Sequence, residues 1–567
     1  MAPGSGLKIV DAPAYATRGY LLDAGRKWYS PAFLKDLCTY ASFFKISEFH
    51  YHTSDNYPLN RGHNGTWQDV YAQFSLRPEK DAEMLKGLVQ RENETMSRVE
   101  FEDLQSHCVR RGITIIPEIE APGHCLSITK WKPELALPTK KDLLNLTHPE
   151  SIPTVQRIWR EFLPWFQTKE VHIGADEYDS ELADDYIRFV NEMERFVRTT
   201  ADKGVRIWGT HEPSENLTIS KNVVVQHWQY GQSDPVDLGH EGYQVINSED
   251  WWAYVSLKND HMPILPAPYA QFFNESKVYN FAGRGEWQWQ PSLFNPVNAT
   301  EQLPPASSQN KGAILAAWND NGYDATTQLE AFYSIRRGIP LVASRAWSGA
   351  RGPLLVQKTW SDSVELFSSR APSQNLDRNI KNTGLGVDHA GDRLCWLRPR
   401  ERKDDNSTRF TLGLGSKGPN YTMTLLVTGP FNLSSADATL TLSDGGSLVF
   451  ISDGTPYPLR SVSPTAGFDA GHPGRIWSND TTSTHDVVHL PMAHNQMQVT
   501  VTSDYIGGSR VWVDGLFAGR FEVFVFGGRN TLFSWSQMAF VAPLDTVEGG
   551  IDSIRVGNDV HPPSSQA

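Results

Sequence analysis

The chain has 567 residues, a formal net charge of −13 and a pI near 5.7. That length exceeds one ordinary compact core and predicts a large barrel or sandwich with at least one further domain. The acidic balance, without a Lys/Arg-rich run, argues against nucleic acid or an anionic membrane as partner, and no apolar run reaches the roughly 18 residues of a membrane span.

The four cysteines, Cys38, Cys108, Cys125 and Cys395, lack metal-type spacing and are too few for a disulfide framework in a chain this long, so they leave the redox compartment open. Ten N-x-S/T tripeptides, beginning at Asn64, Asn93, Asn145, Asn216, Asn274, Asn298, Asn406, Asn420, Asn432 and Asn479, point to an exported glycoprotein. The opening MAPGSGLKIV has no apolar signal-peptide core, as expected of a mature or trimmed form.

After a lead-in over residues 1–17, short apolar or β-branched runs alternate with amphipathic helical stretches. The runs are 18–24, 46–52, 113–119, 170–174, 205–209, 223–228, 243–247 and 312–318. Eight of them predict a (β/α)8 barrel over residues 18–365. Helices fit between several runs: 31–44 opens with Ser30 as N-cap and Pro31 in the first turn, 98–111 stops at Gly112, and 180–202 and 326–337 continue the alternation. The long connections 53–96 and 248–311 follow strands, so they are expected to wall a cleft on the catalytic face. A Ser/Pro/Asn-rich linker over 366–384 leads into alternating strands such as 408–414, 421–427, 438–442 and 498–502, which predict an all-β jelly-roll sandwich over 385–567.

The most informative segment is 171–178, an apolar strand running into the adjacent carboxylates Asp176 and Glu177. Alone, such a pair more often caps the next helix. The other strand ends change that reading. His52 and Asp55 follow the second run, the third ends in Pro117-Glu118-Ile119-Glu120-Ala121-Pro122-Gly123-His124, and Trp208, Trp228 and Trp318 end the fifth, sixth and eighth. One Trp at a strand end is usually core, but a ring of polar and aromatic groups on one rim suggests a polar, ring-stacking ligand.

The Arg18-to-Asp23 run, the His-x-His-x-x-Asp run from His50 to Asp55, the Pro-Glu-Ile-x-x-Pro-Gly-His run and His172-x-Gly-x-Asp-Glu resemble glycoside hydrolase family 20 over about residues 7–350. The resemblance implies a retaining glycosidase cleaving β-linked N-acetylhexosaminides of glycans by substrate-assisted catalysis through an oxazolinium intermediate, with no cofactor and no metal. Glu177 is then the acid/base, kept protonated near working pH by partial burial. Asp176 steers the substrate's acetamide N–H, and Tyr254, with Trp252 as rival, aims the acetamide oxygen. Trp208, Trp228 and Trp318 line the acetamide pocket, Arg18 grips sugar hydroxyls, and Asp55 with His124 orients the acid. The family usually places a small α/β domain ahead of the barrel, for which the lead-in is too short.

Two positions depart from the exo-acting pattern. Trp318-Asn319-Asp320 stands where Trp-x-Glu is usual, with Asp320 as a shorter hydroxyl-binding carboxylate, and Ala175 and Tyr178 flank the catalytic pair. Both resemble the lacto-N-biosidase branch, which releases galactose-β1,3-N-acetylglucosamine. Three alternatives therefore accompany exo-β-N-acetylhexosaminidase activity: a lacto-N-biosidase, an inactive glycan-binding protein, and a metal-dependent barrel hydrolase using His50, His52, His124 and His172. The C-terminal sandwich resembles laminin-G or concanavalin-like domains, and the oligomeric state is left open.

Overall fold

The computed structural model describes residues 11–59, 67–80, 82–209, 214–258, 269–279, 288–298, 300–351, 354–373, 376, 378, 387–390, 393–399, 409–462, 467–468, 476–477, 485–492, 496–527 and 532–563. They group into two compact units, one within Met1–Ser256, Tyr269–Asp320 and Ser334–Pro372, the other within Leu257–Pro268, Asn321–Tyr333 and Ser373–Ala567. The second unit thus includes short pieces of chain that precede the end of the first.

The first unit is a closed parallel barrel. Its strands are β1 (Thr17–Asp23), β2 (Glu48–His52), β3 (Thr114–Ala121), β4 (Glu170–Gly174), β5 (Gly204–Trp208), β6 (Val223–His227), β7 (Gln244–Asn247) and β8 (Asn310–Trp318). Each pairs with its neighbour in sequence, and β8 returns to β1 with Arg18 opposite Ala313 and Leu22 opposite Ala317. Alternate residues Ile314, Ala316 and Trp318 of β8 join Leu21, Trp208, Val224, Trp228 and Ile246 in one buried cluster, as the two-residue period of a strand requires for a filled barrel interior. The short strand Tyr254–Ser256 pairs with Ala316–Trp318 and carries Tyr254 to the same end.

The helices start and stop where local chemistry directs. In α1 (Pro31–Phe43) the Ser30 side chain accepts from Phe33 N–H, and α2 (Arg98–Val109) opens with a capping box between Ser97 and Glu100. Gly112 follows α2 at φ +78°. The helix expected over 180–202 begins with a 3-10 turn, Ser180–Leu182, capped by Asp179, continues as α3 (Ala183–Ala201), and ends at Asp202 in the left-handed region. Cys38 of α1 and Cys108 of α2 form a disulfide with their Cα atoms 5.7 Å apart, a pairing that spacing in sequence did not signal. Among the described residues no helix is long and apolar enough to cross a membrane.

The second unit is antiparallel and all-β. Its main strands are β9 (Tyr421–Ser434), β10 (Ala438–Leu442), β11 (Leu448–Ser452), β12 (Thr455–Arg460), β13 (Met497–Asp504), β14 (Gly508–Val513), β15 (Leu516–Gly527) and β16 (Thr546–Gly557). Instead of two separate facing sheets, the order β9-β10-β11-β12-β15-β14-β13 closes on itself because β13 also pairs with β9. β9 can serve both neighbours because its register shifts between Val427 and Phe431, around Gly429 and Pro430, so its first half meets β13 and its second half β10. Leu425, Leu440, Phe450, Val499 and Ile554 are among its fully buried core residues.

Candidate active site

The C-terminal ends of the barrel strands gather the chemistry-bearing side chains. After β4 the chain turns sharply, with Gly174, Ala175 and Glu177 at φ +74°, +69° and +48°. A non-glycine residue held there costs about 1–3 kcal/mol, so surrounding contacts must impose the turn. Ala175 N–H donates to Glu120 at 3.1 Å and Tyr186 O–H to Ala175 C=O at 2.7 Å. Gly174 cannot carry a side chain, since a Cβ would sit 2.0 Å from the Glu120 carboxylate. The turn presents Asp176 and Glu177 side by side, the first side chain 15% and the second 49% exposed.

The loop after β3 supplies His124, itself at φ +47°. Its Nε2 lies 3.0 Å from Glu177 and 3.9 Å from Asp176, and its Nδ1 lies 3.4 Å from Asp55. Asp55 also meets His52 at 2.7 Å and Arg26 at 3.0 Å. Behind them Glu118 is fully buried and bonded to His52 and Trp208 Nε1, with His50 2.9 Å away.

These contacts set the charges. Burial pushes Asp176 up to about 6 against the pull of His124. Glu177 is held below the usual carboxylate range by its hydrogen bond to His124, which outweighs burial. Burial disfavours charge on His124, yet Asp55 and Asp176 raise it well above an ordinary histidine. Burial likewise opposes ionisation of Asp55 and Glu118, but Arg26 and His124 for the first, and His52, His172 and His50 for the second, keep both low. Glu177, whose side chain is half exposed and faces His124, is thus drawn toward its ionised form, whereas the sequence reading looked to burial to favour the protonated one.

The aromatic wall completes the arrangement. Trp208 and Trp318 have ring centroids 5.4 Å apart, while Tyr254 lies 6.1 Å from Trp318 and stacks at 6.4 Å on Trp228. Trp252, the rival of Tyr254, is buried near Trp289 instead. Asp320 accepts from Ser256 Oγ at 2.6 Å and meets Arg26 at 3.3 Å.

Arg18 is the expectation the structure overturns. It is the second residue of β1, so it sits at the opposite end of the strand from the site, and its guanidinium bonds the carbonyls of Tyr15, Ala16 and Lys45. The guanidinium among the site carboxylates is that of Arg26, which pairs with Asp23, Asp55 and Asp320. Arg26 lies three residues beyond the end of β1, and the rule that strand C-termini build the catalytic face was sufficient to single it out. The histidines considered as metal ligands divide as well. Among the described residues three buried groups, His50 with Glu118 and His172, Asp23 with His52 and Asp55, and His52 with Glu118 and Glu120, have ligand atoms within 4.8 Å of one another, whereas His124 stands apart at Glu177.

The chain is 25% identical over 283 residues to a lacto-N-biosidase of Bifidobacterium bifidum, covering 44% of this chain and 23% of that protein. It is 24% identical over 298 residues to a β-hexosaminidase of Vibrio furnissii, covering 46% and 47%. The chain thus matches less than half the length of either relative. A solved β-N-acetylhexosaminidase from Bacteroides fragilis superposes with a TM-score of 0.49 at 20% identity, covering 64% of this chain and 72% of that one. The model of the glycosyl hydrolase family 20 catalytic domain matches residues 15–349, more than half of the chain, and the protein belongs to that family.

Proposed function

We propose that the protein hydrolyses β-linked N-acetylhexosaminides with retention, using the substrate's own acetamide as nucleophile. The observation that carries this reading is Asp176: its carboxylate is buried beside Glu177, and its Oδ1 has no hydrogen-bond donor. An unpaired buried carboxylate oxygen is costly, and an amide N–H arriving with the substrate relieves that cost. In this scheme Asp176 takes the acetamide N–H, Tyr254 holds the acetamide oxygen, and that oxygen closes on the anomeric carbon as Glu177 protonates the leaving oxygen. Glu177 then accepts a proton from the water that opens the oxazolinium ring. Substrate covering the exposed side of Glu177 removes water and favours its protonated form, with His124 beside it as a proton source. Trp208, Trp228 and Trp318 exclude water from the intermediate, and Arg26 with Asp320 is suited to sugar hydroxyls.

A second reading, release of galactose-β1,3-N-acetylglucosamine, is favoured by Asp320, whose carboxylate is one methylene shorter than the glutamate usual there and is engaged by Ser256 and Arg26. The intact Asp176 and Glu177 speak against an inactive glycan-binding protein. Comparing kcat/KM for p-nitrophenyl β-N-acetylglucosaminide and p-nitrophenyl β-lacto-N-bioside separates these readings. Preference for the first substrate supports the exo-enzyme, and cleavage of only the second supports the disaccharide-releasing form. No turnover with glycan binding retained overturns both, and the Glu177→Gln variant is expected to lose nearly all turnover. Export as a glycoprotein belongs to the same proposal.

A further inference from the structure

Beside the aromatic wall lies a row of buried polar groups for which the proposed chemistry has no use. His227, the last residue of β6, places Nε2 2.7 Å from Glu249 and Nδ1 2.8 Å from Ser233 Oγ. All three residues are buried, and Tyr230 and Phe294 pack edge-on against the imidazole.

Each member of the row adjoins a segment that carries one of the wall's aromatic rings. A Cβ on Gly209, the residue after Trp208, would stand 2.4 Å from Ser233 Oγ. His227 immediately precedes Trp228, whose Nε1 donates to Gly209 C=O at 2.9 Å. Glu249 opens the turn leading to Tyr254: its carbonyl accepts from Trp252 and Ala253 N–H at 3.1 and 3.0 Å. The same turn is tied to β6 by Ser248 N–H to His227 C=O and Asp250 N–H to Trp228 C=O, both 2.8 Å.

Burial pushes the Glu249 carboxyl up to about 10, helped by neighbouring Asp250, and pulls His227 down to about 3. Both shifts favour the un-ionised pair, an arrangement in which the Glu249 carboxyl donates to Nε2 and Nδ1–H faces Ser233 Oγ. A directional row without charge cannot be re-paired member by member, whereas apolar side chains of similar volume could slide.

We infer that Glu249 and His227 are positioning residues, acting through the 249–253 turn to hold Tyr254 and Trp228 against the substrate's acetamide. This rests on the proposed function, and its test is chosen to separate the two. Hydrolysis of p-nitrophenyl β-N-acetylglucosaminide and N-acetylglucosamine binding, followed by tryptophan fluorescence, are measured for the wild type, Glu249→Ala, Glu249→Gln, Ser233→Ala, Tyr254→Phe and the Glu249→Ala/Tyr254→Phe double variant.

Misplacement of Tyr254 by about an ångström predicts a roughly 10- to 100-fold loss of kcat/KM in Glu249→Ala, with sugar binding weakened in parallel. Glu249→Gln, whose amide still donates to Nε2, recovers most of that loss, and Ser233→Ala gives a smaller loss in the same direction. The double variant is no slower than the slower single variant, because both changes act on one contact. Losses that multiply in the double variant, a Gln variant as impaired as the Ala variant, or a Ser233→Ala variant unaltered in both readouts overturn the inference. A wild type that binds N-acetylglucosamine but turns nothing over refutes the hydrolase reading, while weakened binding in Glu249→Ala alone still supports the positioning role.

Discussion

Asp176 is predicted to sacrifice stability for chemistry, and Asp176→Asn tests this in both respects. Burial moves its carboxyl from an ordinary 3.8 to about 6 with its side chain 15% exposed. A folded-state value above the unfolded one means that the folded protein prefers the protonated form. The charge therefore destabilises the fold fully above about pH 6 and not at all below about pH 4. The difference corresponds to up to about 3 kcal/mol at pH 7. Asparagine carries no charge to bury, so the variant should melt a few degrees higher at pH 7, with the gap closing as pH falls toward 4. Its kcat should fall about 10²- to 10³-fold, the usual cost of losing one preorganised electrostatic partner of the reacting groups. The wild-type kcat/KM should decline as pH drops through about 6, as Asp176 takes up its proton, and the variant should lack that limb. Calorimetry at pH 4 and 7 with a pH–rate profile reads all three effects. Equal melting temperatures at pH 7 together with an unchanged acid limb would refute the reasoning.

Arg26→Lys keeps a charge but not the fork that meets Asp23, Asp55 and Asp320, so KM should rise about tenfold or more, while Arg18→Ala should leave KM unchanged and lower only the melting temperature. Replacing Cys38 and Cys108 by serine opens a crosslink spanning 70 residues and should cost about 4 kcal/mol in denaturant titrations, with kcat preserved. Among the described sequons, Asn93, Asn216, Asn274, Asn420 and Asn432 are exposed and Asn145 and Asn298 half-buried, so protein secreted from a eukaryotic host should lose several glycan masses on peptide N-glycosidase treatment; one unglycosylated mass would argue against the export proposal. Asn64, Asn406 and Asn479 lie outside the described residues.

The barrel was legible because short apolar or β-branched runs recur between helical stretches, several of them ending in a residue with chemistry. The runs at 170–174 and 223–228 correspond to β4 and β6 to within a residue. Strand ends likewise pointed to Asp176, Glu177, His124 and the three tryptophans, which the fold brings onto one rim. Arg18 failed for an instructive reason: it begins the motif that carries the family resemblance, but the motif's first residue is also the strand's buried start. Position along the strand, not membership in the motif, decides which arginine faces substrate. The Cys38–Cys108 bond, the closure of β13 on β9 and the Glu249–His227 pair were not legible, because each depends on which segments meet in space and none has a fixed spacing in the chain.

The site concentrates unfavourable terms that the barrel must offset. Gly174, Ala175 and Glu177 hold left-handed backbone, His124 does the same across from them, and Asp176 keeps a buried charge with one oxygen lacking a donor. None of these features would survive selection for stability alone. Hydrogen bonds from Ala175 N–H to Glu120 and from Tyr186 O–H to Ala175 C=O hold the strained turn, while His52 and Trp208 bond Glu118 immediately behind Asp55. The strained, charged groups thus stand at the front of the site and the neutralised network behind them, so the polar groups nearest the substrate can be relieved by its binding. On this view, substitutions in the rear network should lower stability and activity together, whereas Asp176→Asn should separate them.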